Sequence, residues 1–254
     1  MERFVVMAIL EGKNITKRFA GLVAVNAVDF SLERQEILGL IGPNGAGKTT
    51  LVNVISGVYA PSQGDVYFKS RKISGRKPFR IGRLGVSRTF QVVKPFPGMT
   101  VKENAAVGAM YGAGGRKKSA RQAIRRAEEI LEFVGLADAM NKSADQLSVA
   151  SRKRLEMAKA LAMEPEVVLF DEVMAGLNFS EIDQAVELIM KIRASGVSIL
   201  VIEHVMRAIK RLCDRIFVLH HGEKIADGPT EAVLNDGNVI KAYLGRRYKE
   251  LTTG

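Results

Sequence analysis

At 254 residues, with 47% apolar and 26% charged side chains, the chain is long enough for one or two domains with a sizeable core. The single cysteine, Cys213, excludes an internal disulfide and points to a reducing, cytosolic compartment. No apolar run approaches the ~20 residues a membrane helix needs, and Phe4–Leu10 is too short for a span and lacks a signal-peptide cleavage site. The net charge of +11 fits nucleic acid, an anionic membrane surface or a polyanionic ligand, and part of it sits in the run from Arg116 to Arg126, which reads as a solvated helix face.

Residues 8–32 read as short alternating strands with Gly and Asn between them. Phe19 lies there ahead of the first motif, and its spacing fits a core position and a ring stacked on a nucleobase equally. Glu36–Ile41 then reads as a buried parallel strand, followed by Gly42-Pro43-Asn44-Gly45-Ala46-Gly47-Lys48-Thr49-Thr50 and a helix from Leu51 to Gly57. Strand, glycine loop and helix in that order make G-x-x-x-x-G-K-[ST] a phosphate cradle. Glycine lets backbone N–H groups converge on phosphate oxygens, and the helix dipole favours the same anion. Lys48 is placed to reach the β- and γ-phosphates of a nucleoside triphosphate, and the Thr49 hydroxyl to ligate Mg²⁺.

Val66–Phe68 and Val86–Phe90 read as further strands, the second closed by Gln91 and a rigid turn, Lys94 to Gly98. From Thr100 to about Ala162 the pattern becomes helical. Thr100 and Glu103 form a capping box, and the helix over 119–135 puts Ala123, Ala127, Ile130, Leu131 and Val134 on one face. Ser148 reads as the N-cap of a helix that Pro165 ends. Val167–Phe170 then delivers Asp171 and Glu172 at a strand's carboxyl end, where open α/β sheets bind ligands. Asp171 suits the Mg²⁺ shell, and Glu172 suits orienting or deprotonating a water. After a helix at about 180–194, Val197–Ile202 is a second such strand, ending in Glu203 and His204, which marks His204 as functional. Residues 217–226 read as a hairpin turning at His221-Gly222, and the tail as one helix.

These pieces in this order resemble the nucleotide-binding domain of ABC transporters over nearly the whole chain. A GTPase would need N-K-x-D, which Asn141-Lys142-Ser143-Ala144-Asp145 misses by one residue. The resemblance implies an α/β, RecA-like P-loop NTPase core with an N-terminal antiparallel β-subdomain and an inserted helical subdomain. It implies one ABC ATPase domain: core over 8–93 and 163–230, helical subdomain over 94–162, tail over 231–254. By the same resemblance Phe19 stacks on adenine, Gln91 touches Mg²⁺ and senses a permease, Glu172 polarises the water, and His204 meets the γ-phosphate. Ala175-Gly176-Leu177-Asn178 crosses a dimer interface, and Ser148 faces the nucleotide held by a partner's cradle. Gly85–Gln91, Ala175–Asn178 and the ending Ala242-Tyr243-Leu244-Gly245 look like ATP-binding subunits of branched-chain amino acid importers. That implies an ATP hydrolase at the cytoplasmic face of the plasma membrane, using ATP and Mg²⁺. It implies permease subunits, a second ABC ATPase in a homo- or heterodimer, and indirectly a periplasmic or extracellular solute-binding protein. Nucleic acid is not expected as a partner. The rivals are a soluble ABC ATPase acting on nucleic acid or ribosomes, which the charge permits, and a small-molecule P-loop kinase.

The chain departs from the family at its signature, L-S-G-G-Q, where Leu147-Ser148-Val149-Ala150-Ser151 stands, and at Val173, where proline is usual. Ser148 and the helix dipole remain, but side chains at 149 and 150 crowd the backbone. The expectation is an asymmetric heterodimer with one competent and one slower site.

Overall fold

In a computed structural model, residues 8–90, 95–113 and 119–244 are described, and the chain divides into two compact units. The first comprises 1–75 and 200–254, the second 76–199.

The first unit begins with β1 (Leu10–Phe19), β2 (Leu22–Leu32), β3 (Ile37–Ile41), α1 (Lys48–Ile55), β4 (Gln63–Phe68) and β5 (Arg71–Lys72). β1, β2, β4 and β5 form an antiparallel sheet in the order β2-β1-β4-β5, the β-subdomain that the sequence led us to expect. Ile15, Val25, Val28, Phe30 and Leu32 fill its inner face. The Phe30 ring lies where a Cβ on Gly12 would be, so only glycine fits there.

The second unit carries α2 (Pro78–Leu84), β6 (Val86–Arg88), α3 (Val101–Tyr111), α4 (Ala120–Phe133), α5 (Val149–Ala162), β7 (Val167–Asp171) and α6 (Phe179–Ala194). β8 (Ser198–Ile202) straddles the division between units. Within this unit β6 pairs with β7 in parallel, and β7 is buried throughout. The strand read at 86–90 closes at Arg88, with Phe90 turned to solvent. The helix starts follow their caps: Thr100 with Glu103, Ser119 with Gln122, and Asn178 with Glu181 each form a reciprocal box. α4 buries Ala123, Ala127, Ile130 and Leu131 as their spacing requires. α3 approaches α5 so closely that a Cβ on Gly108 would meet the Lys159 carbonyl.

The chain ends in the first unit with α7 (Met206–Leu212), β9 (Arg215–His220), β10 (Glu223–Pro229), α8 (Thr230–Leu234) and α9 (Gly237–Leu244). β3, five buried residues, runs parallel to β9, and β10 returns antiparallel through the turn at His221-Gly222. The tail is two helices, not one. Asn235 and Asp236 interrupt it, and Asp236 Oδ1 accepts the N–H groups of Asn238 and Val239, starting the second helix afresh. α2 was also missed, although proline at its start and Gly85 in the left-handed conformation (φ 112°) at its end are a legible pair.

Candidate nucleotide site

β3 delivers the glycine loop at its carboxyl end, and α1 leaves it. A Cβ on Gly42 would strike the Leu219 carbonyl, and one on Gly47 (φ 101°) the Ala24 carbonyl. The loop is therefore bare backbone packed against backbone. Gly47 offers α1 no side-chain cap, and the first turn of α1 holds no acidic residue. Those features leave the helix start suited to an anion. The buried Lys48 lies over the same loop, its Nζ donating to the carbonyls of Gly42 at 2.7 Å and Pro43 at 3.0 Å. The backbone cradle, uncapped helix start and ammonium group together fit a polyphosphate. Thr49 follows on the first turn and is exposed.

Two braces behind the loop were not foreseen. The β9–β10 turn ties to it through the Gly222 N–H, which donates to the Ala46 carbonyl at 3.0 Å. Tyr243 on α9 accepts the Gly42 N–H, and burial pushes its phenol up to about 12 against the pull of that hydrogen bond. Phe19 ends β1 half-exposed, edge-on to Tyr59 at 5.2 Å, with the Lys17 ammonium 5.0 Å from its ring centre. It is thus not a core residue. His204 is exposed just past β8. His220 and His221 sit at the hairpin turn as expected, and no cluster of metal-ligating side chains occurs among the described residues.

In the second unit β7 ends on Asp171, which is 1% exposed. Its Oδ2 accepts from Arg88 Nη2 at 2.7 Å, and its N–H donates to Thr89 Oγ1 at 3.1 Å. The Arg88 guanidinium also lies 5.2 Å from the centre of the exposed Phe90 ring. Sequence reading singled out Gln91, which lies outside the described residues, and passed over the arginine three positions before it. Glu172 comes next, in the left-handed conformation (φ 50°), between buried Asp171 and buried Val173 and Met174. Lys153 Nζ donates to its carbonyl at 2.9 Å. Gly176 (φ 79°) turns the following loop toward Asn178, which caps α6. Ser148 caps α5 as read, its Oγ accepting from the Ser151 N–H at 3.2 Å, while Val149 stands 58% exposed.

A family model described as ABC transporter matches residues 25–175. The chain belongs to the ABC transporter family. It is 38% identical to the high-affinity branched-chain amino acid transport ATP-binding protein BraF of Pseudomonas aeruginosa, over 93% of this chain and 98% of that one. It is 35% identical to a probable branched-chain amino acid transport ATP-binding protein, LivG, of Archaeoglobus fulgidus, over 98% and 100%. Among solved structures it is similar to the ADP conformation of MJ1267, an ATP-binding cassette of an ABC transporter, with TM-score 0.86, 31% identity, and coverage of 94% and 99%. This ABC protein is accordingly an ATP-binding and ATP-hydrolysing subunit with the P-loop NTPase fold. Among the described residues no helix is long and apolar enough to cross a membrane.

Proposed function

We propose that this subunit energises uptake of branched-chain or related small amino acids through partner permeases. The carrying observation is likeness along nearly the full length of both chains to ATP-binding proteins named for that transport. In this reading the chain is one ABC ATPase domain, with the helical part over 94–162 inserted in a core over 8–93 and 163–230 and the tail over 231–254.

Lys48 and the backbone of 42–50 hold the triphosphate, as the bare loop and uncapped helix favour. Phe19, half-exposed, takes the adenine ring. The Thr49 hydroxyl, the Asp171 carboxylate and the Gln91 amide are the hard oxygen donors that would hold Mg²⁺. Mg²⁺ supplies neutralisation of charge building on the β- and γ-oxygens. Glu172 orients the attacking water and takes its proton, and His204 donates to the γ-phosphate oxygens as charge builds there.

ATP closes this chain on a second ABC ATPase, with Ser148 at the α5 start facing the partner's nucleotide. Val149 and Ala150, in place of glycine, weaken that second site and make the pair an asymmetric heterodimer. The complex sits at the cytoplasmic face of the plasma membrane, fed indirectly by a solute-binding protein.

The test is affinity isolation of the chain from gently solubilised native membranes, with mass spectrometry of stoichiometric partners and uptake of radiolabelled leucine by the reconstituted complex. Two permeases, a second ABC subunit and ATP-dependent uptake are expected, with Glu172→Gln reducing turnover by about 10²–10⁴. Recovery with nucleic acid or ribosomes and no permease would overturn the reading.

A further inference from the structure

Burying an ammonium group is costly unless its hydrogen bonds are met, so a buried lysine marks a place where its charge is used. Lys153 is 7% exposed on the second turn of α5. Its Nζ donates to the main-chain carbonyl of Glu172 at 2.9 Å, and the same oxygen accepts the Ala175 N–H at 3.3 Å. Glu172 has φ 50°, a region that a residue with a Cβ enters only under strain and keeps only when its surroundings fix it. The neighbours are fixed too: Asp171 hydrogen-bonds Thr89 through its N–H, and Val173 and Met174 are each 1% exposed. Rotating the Glu172 peptide toward the right-handed region would break the charged hydrogen bond and re-aim Cα–Cβ, carrying the carboxylate away from its target.

We propose that Lys153 is a positioning residue for the hydrolytic carboxylate: its ammonium holds the Glu172 peptide in the left-handed conformation that aims the Glu172 side chain. This rests on the reading of Glu172 as the group that acts on water. It also gives α5 two ends of one device. Ser148 caps the helix five residues earlier, about 7–8 Å along the axis at 1.5 Å per residue. A shift of the helix start on a partner's nucleotide therefore reaches the Glu172 carbonyl through a rigid element.

The experiment reads MgATP hydrolysis by the reconstituted complex with its second ABC ATPase and, separately, the affinity of the full chain for a fluorescent trinitrophenyl-ATP. Lys153→Met keeps the length and the burial and removes the donor. Its kcat is expected to fall about 10–100-fold, the scale of an ångström's misplacement of a reacting group, with KM and probe affinity within about twofold. Lys153→Arg, which keeps a charged donor, recovers most of the rate. In a Glu172→Gln background Lys153→Met should change the residual rate little, because it acts through that side chain.

Wild-type kcat in Lys153→Met would overturn the inference, as would a further tenfold loss in the Glu172→Gln background or a parallel loss of probe binding. Full activity in Glu172→Gln alone would instead remove the reading of Glu172 on which it rests. Melting curves accompany each variant, and Lys153→Leu, which also removes the donor and is expected to lower kcat by about the same 10–100-fold, replaces Lys153→Met if that chain does not fold.

Discussion

Arg88 and Asp171 form an ion pair with side chains 8% and 2% exposed, so the carboxylate proposed for the Mg²⁺ shell is already held by an arginine. Removing one partner from such a pair leaves a desolvated charge, and the usual cost is about 3–5 kcal/mol. Arg88→Met should therefore lower unfolding free energy by that amount in urea titrations. The double variant Arg88→Met, Asp171→Asn should recover much of the loss, since the uncompensated charge is gone. Arg88→Lys is not conservative here, because an ammonium does not reproduce the planar fork that meets both Asp171 and the Phe90 ring. A single variant within about 1 kcal/mol of wild type would show the pair to be idle. Placement written in a local pattern was legible: Lys48 after its glycine loop, Asp171 and Glu172 at the end of an apolar strand. Arg88 and Lys153 were not, because each gains meaning only from a partner 83 or 19 positions away.

Elements were legible where a cap or a period announces them. α3, α4 and α6 start at reciprocal boxes that sequence alone exposes, though only those of α3 and the α5 cap were read in advance. The tail was misjudged because a run of helix formers outweighed the Asn235-Asp236 break. Ser148 serves both as the cap of α5 and, in the proposed function, as the face toward a partner's nucleotide. Two substitutions separate the roles. Ser148→Ala removes the cap and should cost about 0.5–2 kcal/mol, read as a lower melting temperature. Ser148→Asp keeps a capping oxygen and a favourable charge at a helix start, so melting should stay near wild type. Its carboxylate would repel a γ-phosphate, so ATP-driven association with the second ATPase should fail. If Ser148→Asp still associates normally with ATP, the helix start does not face a phosphate.

At the scale of the whole molecule, the charge excess has an address that composition conceals. Between Asp65 and Glu103 the sequence holds ten lysines and arginines and no acidic residue, against a net charge of +11 for the chain. Of the run read as basic over 116–126, Arg125 and Arg126 pair with Glu129, so at its described end the charge is partly neutralised. In the second unit the acid-free stretch surfaces at Arg76, Lys77 and Arg80 around Phe79, whose ring is 52% exposed with the Arg80 and Arg83 guanidinium groups within 6 Å of its centre. Clustered charge of one sign beside an exposed aromatic would suit a complementary acidic segment, which in the proposed complex a permease would supply. Reversing Arg76 and Arg80 together to glutamate, both exposed and outside the phosphate cradle, should leave the affinity for trinitrophenyl-ATP unchanged. Co-isolation of the permeases should fall at least tenfold, and the wild-type interaction should weaken as salt is raised from 0.05 to 0.5 M, as roughly expected when the screening length shortens. Unchanged permease recovery from the doubly reversed chain would detach this patch from assembly, and salt-sensitive binding of the wild type to RNA or DNA would return the basic stretch to a nucleic-acid partner.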